Sequence, residues 1–293
     1  MFREVFVLED YGKYELFNLS FSGVVPKVCC KKDNKLFIIK SDNVGEYKCL
    51  SEYLSSKIAE VLEIDCQKVS IGFRDGLLSC GIELFNNGSD LIHHYYDVND
   101  SSLSSLDVDV RELPYTLDLI LQVLSNYKSI DIDSKDIISN FVTMCLFDCL
   151  IGNYDRHWGN WGFIGKHKHY SICPLFDNGS SLYPKLTLDE ISNIISDKRE
   201  FYKAIYEFPK SQIRRTKKKK FLYKDLMEKL LCLGFDKEFE EFVFKFESNK
   251  KAIESIFDDS DLLEIIEKPR LDFLKAMLFS RFKLLIKDVV ECN

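Results

Sequence analysis

An asparagine and an aspartate flank a predicted β-hairpin near the middle of the chain, and this segment constrains the fold more than any other. Asn160 precedes the stretch Trp161–Phe176, in which Gly165 lies in a turn between two apolar runs, and Asp177 follows that stretch. In an antiparallel hairpin the start of the first strand lies beside the end of the second, so the two side chains should converge. Mg²⁺ prefers oxygen ligands and usually takes one or two from the protein. The segment therefore predicts a magnesium site with Asn160 and Asp177 as ligands.

The residues just before the hairpin have the spacing of a catalytic loop for phosphoryl transfer. They read Gly-Asn-Tyr-Asp-Arg-His-Trp-Gly-Asn from Gly152 to Asn160. Asp155 and Asn160 match the Asp-x-x-x-x-Asn pattern of protein kinases, in which the aspartate accepts the substrate hydroxyl proton and the asparagine holds a metal ion. We therefore predict Asp155 as the general base. His157 is predicted to support the loop by bonding to backbone or to Asp177. Turn and capping residues are the alternative explanation, but the ordered combination favours catalysis.

A lysine that could bind nucleotide phosphates ends a short apolar strand in the N-terminal part of the chain. The strand is Lys35–Lys40, and Lys40 is the predicted phosphate-binding residue. The following segment, 46–62, has the apolar spacing of an amphipathic helix, and its Glu52 could form an ion pair with Lys40. The segment 81–85 is predicted to be a hinge between two lobes. Its backbone, including Glu83 and Phe85, could contact the adenine edge.

The chain is long enough for two lobes that share a cleft. It has 293 residues, 46% of them hydrophobic, with 23 Phe and 14 Tyr, which can fill a sizeable core. We predict an α+β, two-lobed, protein-kinase-like fold. A small β-rich N-lobe would span residues 1–85 and a mainly helical C-lobe residues 86–293. Apolar spacing predicts strands at 4–7, 37–39 and 77–85, and helices at 134–151, 187–197, 221–233, 236–257 and 269–290.

Cysteine usage and hydropathy favour a reduced, cytoplasmic protein. The ten cysteines include no Cys-x-x-Cys pair, and no secretory signal precedes them. Cys145 and Cys149 are expected to be buried residues rather than metal ligands. No run of eighteen apolar residues predicts a membrane span, although an effector exported without a cleaved signal would have the same pattern. The basic run Arg214–Lys220 is expected to be the solvated start of a helix, with an acidic protein substrate or a tRNA-bearing partner as the alternative.

The order of these motifs resembles the HipA-like serine/threonine kinases, and in particular their short HipT- and CtkA-like members, over about residues 18–180. The segment Ser20–Lys27 reads Ser-Phe-Ser-Gly-Val-Val-Pro-Lys and is similar to the phosphate-side loop of that family. The resemblance implies that Ser22, Gly23 and Lys27 contribute to nucleotide binding. It also implies that Ser20 or Ser22 is autophosphorylated and that this switches the kinase off. The helix motif of the family favours Glu52 over Glu46.

The resemblance also implies cofactors and partners. ATP and Mg²⁺ would be the cofactors, and the substrate would be a protein, either translation-related or from a host. An antitoxin partner is implied, and no direct DNA binding is expected. HipA itself has an N-terminal subdomain that docks its antitoxin, and this chain is expected to lack one because its Ser-x-Ser-Gly loop begins at Ser20. Two alternatives stay open: a phosphatidylinositol-type lipid kinase, because that fold is related, and a nucleotide-binding pseudokinase.

Overall fold

A six-stranded sheet with one helix packed against it forms the N-terminal part of the structure. The computed structural model describes residues 8–16, 27–85, 91–95, 114–126, 134–166 and 169–291. The strands of this sheet are β1 (Glu9–Asp10), β2 (Glu15–Leu16), β3 (Lys27–Lys32), β4 (Lys35–Ser41), β5 (Val69–Arg74) and β6 (Leu77–Glu83). Their order is β1-β5-β6-β4-β3-β2, and only the β1–β5 pair is parallel. The sheet contains the predicted strands at 37–39 and 77–85, whereas the one at 4–7 lies outside the described residues.

The helix α1 (Lys48–Val61) packs against β5 and β6 through its apolar side chains. Leu50, Leu54 and Ile58 are fully buried on this face, at the spacing that predicted the helix. Before the helix, the buried carboxylate of Asp42 accepts the backbone N–H of Cys49 at 3.1 and 3.0 Å. This bond satisfies one of the N–H groups that a helix leaves unpaired in its first turn.

The buried Asp42 carboxyl should make the stability of the protein depend on pH. Burial raises the pKa of its carboxyl from 3.8 to about 6. The folded protein therefore holds this proton up to about pH 6, whereas the unfolded chain releases it near pH 3.8, so stability falls as the pH rises through that window. Between pH 4 and pH 7, we expect the free energy of unfolding of wild type to fall by about 2–3 kcal/mol relative to that of Asp42→Asn. Urea denaturation of both proteins at each pH would measure this difference, and parallel pH profiles would contradict it.

A second, three-stranded sheet carries the predicted hairpin. Its strands are β7 (Leu91–His94), β8 (Gly162–Lys166) and β9 (His169–Ile172), all antiparallel and in that order. β8 and β9 confirm the hairpin predicted between Asn160 and Asp177. The residues on either side of this ribbon are the ones that the candidate site requires.

Helices and one further hairpin make up the rest of the described chain, consistent with the predicted α+β class and helical C-terminal part. The helices are α2 (Leu117–Asn126), α3 (Ser134–Ile151), α4 (Leu188–Ser196), α5 (Lys198–Tyr206), α6 (Tyr223–Cys232), α7 (Asp236–Ser248), α8 (Lys250–Phe257), α9 (Ser260–Ile265), α10 (Lys268–Arg281) and α11 (Asp288–Glu291). The helix α3 is buried on nearly all sides, including Cys145 and Cys149, because it is the central helix of this part. The predicted division at residues 85 and 86 stays a prediction.

Three predicted elements differ from the structure. The helix predicted at 236–257 is broken at Asn249, whose side-chain amide donates to the Lys245 carbonyl oxygen at 3.0 Å and competes with the helical backbone. The helix predicted at 269–290 contains a π-helical segment, Phe282–Lys287. The apolar spacing continues across both interruptions, so periodicity alone could not reveal them.

The third difference concerns the basic run, which is not a helix start. It forms the turn of a hairpin between β10 (Lys210–Arg214) and β11 (Lys220–Leu222). The Thr216 hydroxyl accepts the N–H of Lys219 at 3.2 Å and closes this turn. A turn without glycine or proline gives little signal in the sequence, which is why we expected a helix there.

None of the helices within the described ranges is long and apolar enough to cross a membrane.

Candidate active site

Lys40 lies between two carboxylates contributed by distant parts of the chain. Its ammonium is 2.6 Å from Glu52 Oε1, on α1, and 2.8 Å from Asp177 Oδ1, after the hairpin. Burial acts to lower the pKa of Lys40, but the two carboxylates outweigh this effect and raise that pKa above its ordinary value. The structure thus contains the predicted Lys40–Glu52 ion pair. It also shows that the same lysine contacts the predicted metal ligand.

Glu52 uses its second carboxylate oxygen to hold the loop that carries Asp177. Its Oε2 accepts the backbone N–H of Asn178 at 2.8 Å. A Cβ at Gly179 would lie 3.3 Å from Oε1 of the same carboxylate, so a larger residue there would press on Glu52. Glu52 is buried, with a side chain that is 3% exposed. One buried carboxylate therefore fixes the strand lysine relative to the Asp-x-Gly loop, which is Asp177–Gly179.

Asp177 has an uncommon backbone conformation and an accessible carboxylate. Its φ of 56° lies in the left-handed region, which aspartate tolerates better than most residues. Burial acts to raise the pKa of this carboxyl, but Lys40, Lys27 and Arg156 hold that pKa below its usual range. The side chain is still 40% exposed, so it can reach a ligand from solvent.

Two asparagines fix the loop that carries the predicted general base. Asn153 Oδ1 accepts the Asp155 N–H at 2.9 Å, and Asn160 Nδ2 donates to the Asp155 carbonyl oxygen at 2.9 Å. Within the part of the chain that the structure describes, the Asp155 carboxylate takes part in no hydrogen bond or ion pair. The backbone of this residue is therefore held on both sides while its side chain remains available to a substrate.

A buried arginine brings the catalytic loop and the Asp-x-Gly loop together. The Arg156 guanidinium lies 2.9 Å from the Asp148 carboxylate of α3, and both side chains are almost completely buried. It also donates to the carbonyl oxygens of Asn160 at 2.8 Å and Phe176 at 2.5 Å, and to Asn178 Oδ1 at 2.5 Å. One buried cation therefore contacts the backbones at both feet of the hairpin, next to the two predicted metal ligands.

Arg156, Asp148 and Asn178 had no predicted role. One signal was available, because Asp148 is the only charged residue in the buried stretch from Phe141 to Ile151. A buried carboxylate needs a partner, and an arginine is the most suitable one. The identity of that arginine could not be read from spacing, because residues 152–160 form an irregular loop.

His157 has a smaller role than its position in the motif suggested. Its side chain is exposed, and its Nδ1 accepts the N–H of Gly159 at 3.0 Å. This is the predicted bond to backbone, made within its own loop, and Asp177 is held by Lys40 instead. The geometry assigns the support of the loop mainly to Arg156.

Two further residues predicted to bind the nucleotide lie on the strands that flank β4, Lys27 on β3 and Glu83 on β6. Lys27 lies opposite Lys40 in the β3–β4 register, and its charge contributes to the low pKa of Asp177. The Glu83 carboxylate forms an ion pair with Lys35 at 2.9 Å, and its N–H donates to the Lys68 carbonyl oxygen, so this N–H cannot also bind a base.

Phe85 lies near the Asp177 end of the hairpin. The centre of its ring is 6.2 Å from that of Phe176, the residue before Asp177. Ser20, Ser22 and Gly23 lie outside the described residues. Their predicted roles in nucleotide binding and autophosphorylation stay predictions.

The fold and this set of residues match a known family. Residues 19–261 match the family model described as the HipA-like C-terminal domain. The chain belongs to the HipA-like C-terminal domain family. The match covers the strands from β3 to β11, the candidate catalytic loop and most of the helices.

The kinase CtkA is similar to this chain both in sequence and in structure. Serine/threonine-protein kinase CtkA of Helicobacter pylori is 29% identical over 237 residues, which cover 80% of this chain and 69% of CtkA. The crystal structure of that organism's proinflammatory kinase CtkA superposes with a TM-score of 0.87 at 25% identity, over 98% of each chain. The protein therefore has the two-lobed kinase-like fold that the sequence predicted.

A more distant structural relative comes from the toxin–antitoxin system of Shewanella oneidensis. The structure contains HipA, HipB and their operator DNA, and it matches with a TM-score of 0.62 at 15% identity, over 96% of this chain and 68% of that one. This likeness supports the fold alone.

The donor atoms of this HipA-like domain suit a magnesium ion. Asn160 donates through Nδ2 to the Asp155 backbone, so its Oδ1 is the amide atom left to bind a metal. Asp177 supplies an accessible carboxylate that is ionised because its pKa is low. One amide oxygen and one carboxylate are a suitable protein contribution to Mg²⁺, which takes its other oxygens from water and phosphate. No cluster of three or more His, Cys, Asp or Glu side chains suited to a metal occurs among the described residues.

Proposed function

We propose that this protein is a serine/threonine protein kinase that depends on ATP and Mg²⁺. The observation that carries the proposal is the double ion pair of Lys40 with Glu52 and Asp177, in a site that Arg156 joins to the loop of Asp155. Phosphoryl transfer requires positioning and charge neutralisation more than covalent chemistry. Family membership and the likeness to CtkA support the same conclusion.

Each residue has a role that follows from its contacts. Bound Mg²⁺ would neutralise phosphate charge, with Asn160 and Asp177 as its protein ligands. Lys40 would bind the nucleotide phosphates, and Glu52 keeps its ammonium in place. Asp155 would orient the serine or threonine hydroxyl and accept its proton, since its carboxylate is not engaged elsewhere in the described chain.

Labelling with competing substrates tests the activity. Purified protein would be incubated with radiolabelled ATP, Mg²⁺, a mixture of bacterial and host proteins, and phosphoinositide vesicles. We expect label on protein serine or threonine, and none when Asp177→Ala replaces wild type. Label on phosphoinositide alone would favour the lipid-kinase alternative. ATP binding with no transfer to either substrate would favour a pseudokinase.

We also propose autophosphorylation of Ser20 or Ser22 as a means of inhibition. Lys27 begins strand β3 and lies opposite Lys40, so residues 20–26 precede a strand that borders the site. A phosphate adds about two negative charges near pH 7. It would compete with the ATP phosphates for Lys27 and Lys40 and so lower nucleotide affinity.

Mass spectrometry tests this mechanism of inhibition. Protein purified after incubation with excess ATP should carry phosphate on Ser20 or Ser22, and the Asp155→Ala protein should not. A Ser20→Ala/Ser22→Ala variant should retain activity for longer in the same incubation. Loop serines that stay unmodified while protein substrates are phosphorylated would contradict inhibition by this route but not the kinase activity.

The biological role is proposed from the relatives. HipA occurs with HipB in a toxin–antitoxin system, and CtkA is described as proinflammatory. An antitoxin partner and a translation-related target would accompany the first role, and a host protein target the second. Co-purification with the product of an adjacent gene, with Asp177→Ala used to avoid toxicity, would favour the first.

A further inference from the structure

Strand β10 contacts the candidate catalytic loop directly at one point and indirectly, through Tyr115, at a second. The Gln212 side-chain amide donates to the Tyr154 carbonyl oxygen at 2.5 Å. The Arg214 N–H donates to the Tyr115 carbonyl oxygen at 2.8 Å, and the Tyr115 ring lies 6.0 Å from the ring of Trp158. The predicted general base lies between Tyr154 and Trp158 in the sequence. The strand is therefore held beside the place where an acceptor hydroxyl must bind.

The turn that continues from β10 carries a cluster of lysines without acidic partners. Lys217, Lys218 and Lys219 are exposed, and no carboxylate of the described ranges lies within ion-pairing distance of any of them. The turn is ordered, because the Thr216 hydroxyl accepts the Lys219 N–H and the Arg214 guanidinium donates to the Lys217 carbonyl oxygen at 2.7 Å. Three positive charges are thus held on a fixed turn in a chain of net charge −7.

We propose that this basic turn, residues 215–219, binds an acidic segment of the protein substrate. The inference rests on the proposed kinase function and specifies its substrate class. A strand advances about 3.4 Å per residue, so the turn lies roughly 10–20 Å from Gln212. An extended substrate covers that distance with about three to six residues. Aspartate or glutamate about three to six residues from the phosphorylated serine would therefore reach the lysines.

The surroundings of the turn favour a short acidic peptide over a nucleic acid. The charged side chains that line the cavity next to the hairpin are Asp118, Asp225 and Glu228 together with Arg214, Arg215 and Lys229. The positive surface is therefore small and bordered by carboxylates. Nucleic acids bind through several phosphate contacts along their length, and a long polyanion would meet these acidic groups. A peptide with three or four carboxylates would contact the lysines alone.

Fluorescence anisotropy tests the proposal without requiring turnover. A labelled peptide would contain one serine followed by acidic residues at positions three to six, and its partner would carry the corresponding amides. Both would be titrated with Asp155→Ala protein that otherwise has the native sequence. The test variant adds Lys217→Ala, Lys218→Ala and Lys219→Ala. The control instead adds Lys237→Ala, Lys251→Ala and Lys268→Ala, which remove the same charge from exposed helical positions.

We expect the acidic peptide to bind at least tenfold more tightly than the amide peptide. The turn variant should weaken binding of the acidic peptide roughly tenfold, and the control variant should change it less than twofold. Equal affinity for both peptides, or equal losses in both variants, would overturn the docking site. Tighter, turn-dependent binding of tRNA or of phosphatidylserine vesicles would overturn the choice of partner. Because Asp177-dependent labelling is measured separately, failure of the docking site and failure of the kinase proposal are distinguishable.

Discussion

Replacing Asp155 with alanine is expected to lower kcat by about 10²- to 10⁴-fold, the range typical of a lost general base. The loop should keep its shape, because Asn153 and Asn160 hold residue 155 through its backbone. The affinity for Mg-ATP should therefore stay within about twofold of wild type, since Asp155 is not one of the proposed metal ligands. Steady-state phosphorylation of the acidic serine peptide and calorimetric titration with a non-hydrolysable ATP analogue would measure the two effects.

A matched control is available on α10. Asp272 is exposed and has no ion pair among the described residues, so Asp272→Ala removes the same charge at a distance from the site. Its kcat should match that of wild type. A fall of less than tenfold in Asp155→Ala would show that this carboxylate is not the base. A parallel loss of ATP affinity in Asp155→Ala would show that the Asp155 carboxylate contributes to nucleotide binding instead.

Removal of Arg156 is expected to destabilise the folded protein by about 3–5 kcal/mol, because the variant leaves a buried carboxylate without its partner. Burial already raises the pKa of Asp148, and the Arg156 charge opposes that effect. Without the guanidinium the pKa of Asp148 should rise further, and the folded state would bind a proton that the unfolded chain releases near its ordinary pKa. The destabilisation should therefore be larger at pH 8 than at pH 5.

Urea denaturation of Arg156→Ala at the two pH values measures this expectation. The exposed ion pair of Lys203 with Glu200 supplies the control, and Lys203→Ala should leave the denaturation midpoint unchanged. Asp148→Asn in the Arg156→Ala background should remove the pH dependence, because an amide does not titrate. If Arg156→Ala lowers the free energy of unfolding by less than 1 kcal/mol, or by the same amount at pH 5 and pH 8, the proposed role of this pair is wrong.

The sequence predicted the parts of the site that depend on regular elements. The hairpin brings Asn160 and Asp177 together, as antiparallel pairing requires. A strand that ends in lysine and a helix with an apolar stripe predicted a pair between Lys40 and a glutamate of the helix, and the family resemblance favoured Glu52 over Glu46. Both predictions use periodicities of two or of three to four residues, which depend on local geometry. The two-lobed α+β class follows from the same patterns and is confirmed by the likeness to CtkA.

Contacts between irregular segments could not be predicted in this way. Arg156 pairs with a residue eight positions away on α3 and with three groups near residues 160 and 176–178. Hydropathy indicates that such polar groups are buried, but it does not say which partners they have. The basic run Arg214–Lys220 was predicted as a helix start for a related reason. Lysine is compatible with a helix or a turn, and the bonds made by Thr216 decide between them.

A crystal structure with Mg²⁺ and a non-hydrolysable ATP analogue would locate the nucleotide and the metal ion. We expect the triphosphate to lie beside Lys40 and the metal to take oxygens from Asn160 and Asp177. The Asp155 carboxylate should face the terminal phosphate. A triphosphate bound elsewhere, or a metal that contacts neither Asn160 nor Asp177, would rule out the proposed site.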